Sequence, residues 1–224
     1  MTAREKAKRQ APRAPVPAAA RRPPRTALPK LDPEIEALLA KIGHHASLDL
    51  NIVPMGEVGD AMPAFHPLEE RFPIKYHQPL PLPRGSLDFK RRQYRATDFI
   101  ADLNDAIGGR SLGVTHVDLF EQKKNFVFGL AETQGSGAII STHRLRHSAR
   151  TIFWLRVRKE AVHEIGHLLG LSHCHSSKCV MYFSTTLEDT DAKGEWFCVR
   201  CSSVLATMHD LDGRAASRQD AEKI

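Results

Sequence analysis

Apolar residues along this chain repeat with two periods, and the switches between them mark its elements. Ile35, Leu38, Leu39 and Ile42 recur at three- and four-residue steps behind Asp32-Pro33, a cap followed by a first-turn proline. That pattern predicts a helix over 32–43. Leu48–Val53 alternates and predicts a strand, while 54–85 is proline-rich and irregular, with room for one short strand at Phe72–Tyr76. Tyr94, Phe99, Ile100, Leu103 and Ile107 line one face of a helix predicted over Arg91–Ile107, which Gly108-Gly109 ends. Three strands follow at Val114–Leu119, Asn125–Leu130 and Ala138–Ser141. A long helix then runs from after Ser148 to Leu169, with Ile152, Phe153 and Trp154 giving its first turns bulk to pack on a sheet. Ser202–His209 adds a short helix before a polar end. The alternation of strands and helices gives a mixed α/β (α+β) class, and no internal repeat is visible.

The long helix ends in chemistry. The run H-E-I-G-H-L-L-G-L-S-H-C occupies 163–174. His163 and His167 are four apart, so both imidazoles stand on one helical face. Glu164 lies beside that face, where it can reach a water held between them. Gly170 can adopt the positive φ that stops a helix and turns the chain, bringing His173 round as a third nitrogen. Catalytic zinc takes three protein ligands and keeps one position for water, and a neighbouring glutamate can serve as general base. Val162, Ile165 and Leu169 recur on the opposite face, so one side is core and the other is site. A merely amphipathic surface helix would not explain Gly170 and His173.

All four cysteines lie close behind. Cys174 and Cys179 form one pair and Cys198 and Cys201 the other, as expected for a structural four-thiolate zinc site. Two disulfides are the alternative, and these would need an oxidising compartment. Two complete ligand sets with no shared residue imply two zinc ions per chain.

H-E-x-x-H-x-x-G-x-x-H running straight into C-x4-C, then Val-Met, then a distant C-x-x-C resembles the archaemetzincins, zinc peptidases of the metzincin clan. The resemblance implies a twisted mixed sheet over a long active-site helix, with a C-terminal four-cysteine zinc subsite. It implies catalytic zinc on His163, His167 and His173, Glu164 as base, and a second zinc on Cys174, Cys179, Cys198 and Cys201. It also makes Met181 the methionine of the turn beneath the metal; spacing alone would leave it an ordinary core residue. Substrate is expected to lie extended along the Asn125–Leu130 strand. The loop between Met181 and Cys198 is one residue shorter than the family pattern, a change that loops absorb.

Charge alters this picture only at one end. The 224 residues carry a formal +6, but residues 1–30 hold nine Lys or Arg and one acid, for +8, which leaves −2 for the remainder. The basic pI therefore describes a tail rich in Ala, Pro and Arg, too poor in apolar residues to order itself. The expected organisation is a tail at 1–30, one peptidase domain at 31–209 and a polar tail at 210–224. An arm touching nucleic acid or another polyanion is a possible use for the basic tail, though a solvated leader suits it better. With no secretory signal and no run of 18 apolar residues, a reducing, cytoplasmic setting is expected, which agrees with zinc thiolates. A zinc-ribbon module binding nucleic acid or protein is the competing function, and a catalytically silent adaptor a third. The acids at 188, 189, 191 and 195 oppose the first, and the presence of Glu164 opposes the second. His44, His45, His66, His77, His116, His143, His147, His175 and His209 have no partner set and receive no role.

Overall fold

The computed structural model describes residues 30, 33–37, 49–132 and 135–208. Residues 1–29 and 209–224 lie outside the described residues, as do Leu38, Leu39, Ile42, His44 and His45 in and after the first predicted helix. Helix α1 is seen at 33–37, with Ile35 buried in the core. The strands are β1 (Leu50–Pro54), β2 (Ile74–Tyr76), β3 (Leu87–Asp88), β4 (Gln93–Arg95), β5 (Ser111–Thr115), β6 (Leu119–Phe120), β7 (Gly129–Ala131) and β8 (Gly137–Ser141). The helices after α1 are α2 (Ala96–Ala106), α3 (Arg150–Leu168), α4 (Leu187–Ala192) and α5 (199–208). A 3-10 helix at Met62–Glu70 precedes β2.

One sheet runs β2-β1-β5-β8-β7, parallel throughout except for β7, which pairs antiparallel with β8 and forms the outer edge. A smaller sheet runs β3-β4-β6. Every residue of β5 and β8 is buried, as expected of parallel strands covered on both faces. The period of two sorts the side chains. Leu50, Ile52, Leu112, Val114, Ala138 and Ile140 join the core shared with α3 and the 3-10 helix. Val53, Met55 and Ile139 join Phe99, Ile100 and Leu103 of α2 on the other face. The fold is therefore three layers, with α3 beneath the sheet. Among the described residues no helix is long and apolar enough to cross a membrane.

Several predicted boundaries move. The helix expected from Arg91 starts only at Ala96, because Arg92 takes φ 54° and Tyr94 and Arg95 pair with Leu119 and Phe120. No side chain caps α2, yet three large buried apolar residues at about 1.5–3 kcal/mol each outweigh a missing cap worth about 1 kcal/mol. The strand expected at Val114–Leu119 is two strands in two sheets, with the chain turning at 116–118. The expected Asn125–Leu130 strand shifts to Gly129–Ala131, Val127 forming only an isolated bridge to Leu119. Helix α4 and the 3-10 helix were not legible in the apolar pattern. For α4 a signal existed: Thr186 and Asp189 form a capping box, the Thr-x-x-Asp that opens a helix.

Candidate metal and catalytic centre

Helix α3 presents its last two turns to the site and then stops in a defined way. Gly170 takes φ 92°, its N–H donates to His167 O at 2.9 Å, and the Leu171 N–H donates to Gly166 O at 2.8 Å. This is a Schellman end, and the buried Leu171 fixes the exit direction. The chain returns so that His173 faces His163 and His167, with ring centroids 5.3 and 4.9 Å away.

The ring orientations are set from behind. His163 Nδ1 lies 2.8 Å from Val180 O and His167 Nδ1 lies 2.8 Å from Leu171 O. Each Nδ1 therefore carries the proton and each Nε2 is left as a lone-pair donor. The two Nε2 atoms stand 3.2 Å apart. Nitrogens bound tetrahedrally to zinc stand about 3.3 Å apart at the usual bond lengths of about 2.0–2.1 Å. Burial lowers the pKa of all three histidines, well below the ordinary value for His163, where Lys193 and His167 add to it. They are thus neutral at neutral pH, the form that ligates metal.

Glu164 points into the same cleft, a cavity of about 450 Å³ lined by all three histidines, Glu160, Gly129, Phe128, Lys124 and Phe183 among others. Burial pushes its carboxyl up to about 8, with Glu160 adding to the rise and Lys193 and Lys124 opposing it. Gly166, between the two helical histidines, leaves the space that Met181 fills: a Cβ there would overlap the Met181 sulfur. Met181 is fully buried. Phe183 packs on the His173 ring at 4.8 Å.

The second group is equally compact. Cys174 and Cys198 sulfurs lie 3.9 Å apart and those of Cys179 and Cys201 3.8 Å apart, all four as free thiols. Sulfurs on tetrahedral zinc stand about 3.8 Å apart at about 2.3 Å per bond. Burial pushes the Cys179 thiol up to about 11, and burial with the adjacent thiols raises Cys201 as well. Thiols this close cannot all ionise without a cation among them. Within each set the donor atoms lie within 4.8 Å of one another, so both sets fit a zinc ion in spacing and donor chemistry.

Sequence periodicity did not announce the charged network that fastens α3 to the segment after Met181. Arg156, Arg158, Lys159 and Glu160 on α3 are all buried. Arg156 makes two bonds to Asp191, at 2.7 and 2.5 Å, and Arg158 two to Glu195 Oε2, at 3.1 and 2.6 Å. Lys159 donates to the carbonyls of Thr190 and Asp191. Lys193 pairs with Glu160 at 2.9 Å with both side chains buried. The acids at 191 and 195 are therefore spent bolting the loop between Met181 and Cys198 onto α3. Of the histidines without an assigned role, His77 contacts Asn51 Oδ1 at 2.7 Å and His66 meets Tyr76 edge to face, both away from the cleft.

Residues 92–207 match the model of peptidase family M54. The chain belongs to the archaemetzincins. The archaemetzincin of Haloarcula marismortui is 41% identical over 173 residues, covering 69% of this chain and 97% of its own length. That of Pyrococcus furiosus is 37% identical, over 75% of this chain and 95% of its own. The crystal structure of the Methanopyrus kandleri archaemetzincin superposes with a TM-score of 0.65 at 33% identity, covering 70% of this chain and 92% of that one. The Archaeoglobus fulgidus archaemetzincin, crystallised with malonate, gives 0.62 at 35% identity, over 69% and 98%. As an archaemetzincin the chain is a zinc metallopeptidase acting on peptides, and the zinc-ribbon and silent-adaptor alternatives fall.

Proposed function

We propose that this archaemetzincin hydrolyses peptide bonds with His163, His167 and His173 holding the catalytic zinc and Glu164 as general base. Cys174, Cys179, Cys198 and Cys201 hold a second, structural zinc. The observation that carries the reading is the convergence of three neutral imidazoles, two with Nδ1 anchored on carbonyls, in the cleft that also contains the Glu164 carboxyl.

Zinc bound there supplies a Lewis acid that acidifies water and polarises a carbonyl. The chain's own residues do the rest. Strand β7 exposes its outer edge beside the cleft, where an extended peptide can pair with it and bring a scissile bond over Glu164. The charge of a zinc ion in the cleft would offset the burial that raises the Glu164 carboxyl and hold it ionised, so that Glu164 accepts a proton from the attacking water and returns it to the leaving amine nitrogen. Met181, packed under Gly166, supports the helix between two of the histidines. The catalytic unit spans 31–209, works in a reducing, cytoplasmic setting that keeps the thiolates intact, and takes no part of its chemistry from the +8 segment at 1–30.

Elemental analysis of the purified protein should give two zinc ions per chain. Digestion of a peptide library, read by mass spectrometry, should show cleavage that a chelator stops and zinc restores. One metal per chain, or intact Cys–Cys bonds, would refute the second site; cleavage indifferent to chelation would refute the mechanism.

A further inference from the structure

Gly129 is the residue of β7 that lies against the catalytic carboxyl. A Cβ built on it would stand 2.5 Å from Glu164 Oε1, 2.8 Å from its Cγ and 2.9 Å from its Cδ. Gly129 is not among the residues with positive φ, so its backbone conformation suits any residue. What the site requires of it is empty space. Its register partner is Ile140 of β8, and it lines the cleft together with Glu164, His163 and His167.

We infer that Gly129 is a positioning residue: its missing side chain lets the substrate-facing strand approach closely enough to fix the Glu164 carboxyl beside the histidines. The inference rests on Glu164 acting as general base. A methyl group at 129 does not need to break the fold, since the atoms it meets belong to one side chain that can rotate. Glu164 cannot rotate freely and still work, however. It is buried, Glu160 stands one turn behind it on α3, and β7 closes the space in front. The displaced carboxyl loses alignment with the attacking water, and a misplacement of about 1 Å costs about 100-fold in rate.

The test is Gly129→Ala. It should lower kcat about 100-fold and leave KM within about twofold, because the added methyl meets the Glu164 side chain while the backbone N–H and C=O groups by which β7 pairs with substrate are retained. Zinc affinity, measured by chelator competition, should stay at the wild-type value, because the three histidines are unaltered. The contact with Glu164 is isolated by repeating the change in a Glu164→Asp background. The shorter side chain withdraws its carboxyl from Gly129, so the added methyl should then cost less than about threefold. A crystal structure of Gly129→Ala should show Glu164 rotated and the histidines unmoved. Equal losses in both backgrounds would assign Gly129 to the strand and overturn the inference. So would a raised KM with kcat intact, or a G129A structure with Glu164 in place. Normal cleavage by Glu164→Gln would instead overturn the base assignment on which the inference stands.

Discussion

Replacing Glu164 by Gln is expected to lower turnover by about 10²–10⁴ while the fold and the zinc content of the wild-type protein are retained. The amide keeps the shape of the carboxyl and can still hydrogen-bond a water, but it cannot accept a proton at neutral pH. The variant also has a signature in stability. Without metal at the histidines, burial holds the Glu164 carboxyl at about 8, against an ordinary 4.5. Between those values the unfolded chain has released this proton and the folded chain still holds it. Glu164 therefore costs stability increasingly as pH rises through that window, and below it the cost vanishes. Glutamine removes the cost. With the histidine site stripped of metal, Glu164→Gln should unfold at a higher temperature than wild type at pH 8, and the two should converge near pH 4. Retention of a tenth of wild-type cleavage would eliminate Glu164 as base. Parallel melting curves at both pH values would show that the carboxyl is better solvated than its position indicates.

The parts of this site that were legible in the sequence are those fixed by local geometry. His163 and His167 share a face because of the helical repeat. His173 returns because Gly170 alone can take φ 92° without strain, and the Schellman bonds follow from that. Cysteine spacing works in the same way. What stayed hidden depends on partners far along the chain. Arg156 and Asp191 are thirty-five residues apart and Arg158 and Glu195 thirty-seven, so nothing near α3 in sequence announces that its charges are buried. Gly129 is separated from Glu164 by a strand, a turn and most of α3, and only the packed structure shows why a side chain there is excluded. Strand ends failed for a related reason. Asn125–Leu130 has the apolar content of a strand, but its pairing partner β8 extends only along Gly129–Ala131.

Changing Cys198 and Cys201 together to serine should weaken zinc binding at the histidines as well as removing the thiolate-bound metal. Neither residue touches the histidines. The connection runs through the segment 171–181, which serves both sites. His173 and Cys174 are neighbours and share one peptide plane. The Cys174 N–H donates to Met181 O at 2.9 Å, which ties the return of the chain to the turn under the helix. His163 is oriented by the carbonyl of Val180, the residue after Cys179, and His167 by that of Leu171. Two of the three imidazoles are thus aimed by carbonyls on the segment that Cys174 and Cys179 carry, and the third sits on it directly. Cys198 and Cys201 hold that segment from α5 and the residue before it. Removing their thiolates leaves two ligands, too few for a structural zinc, and frees the carbonyls that orient the rings. Groups that orient metal ligands are worth about 10–100-fold in affinity, so the catalytic zinc should be lost at correspondingly lower chelator concentration. If the double variant does not fold, Cys198→Ser alone, which leaves three thiolates, should give a smaller shift in the same direction. A folded variant that has lost one zinc and yet keeps wild-type affinity at the histidines would establish that the two metals are held independently.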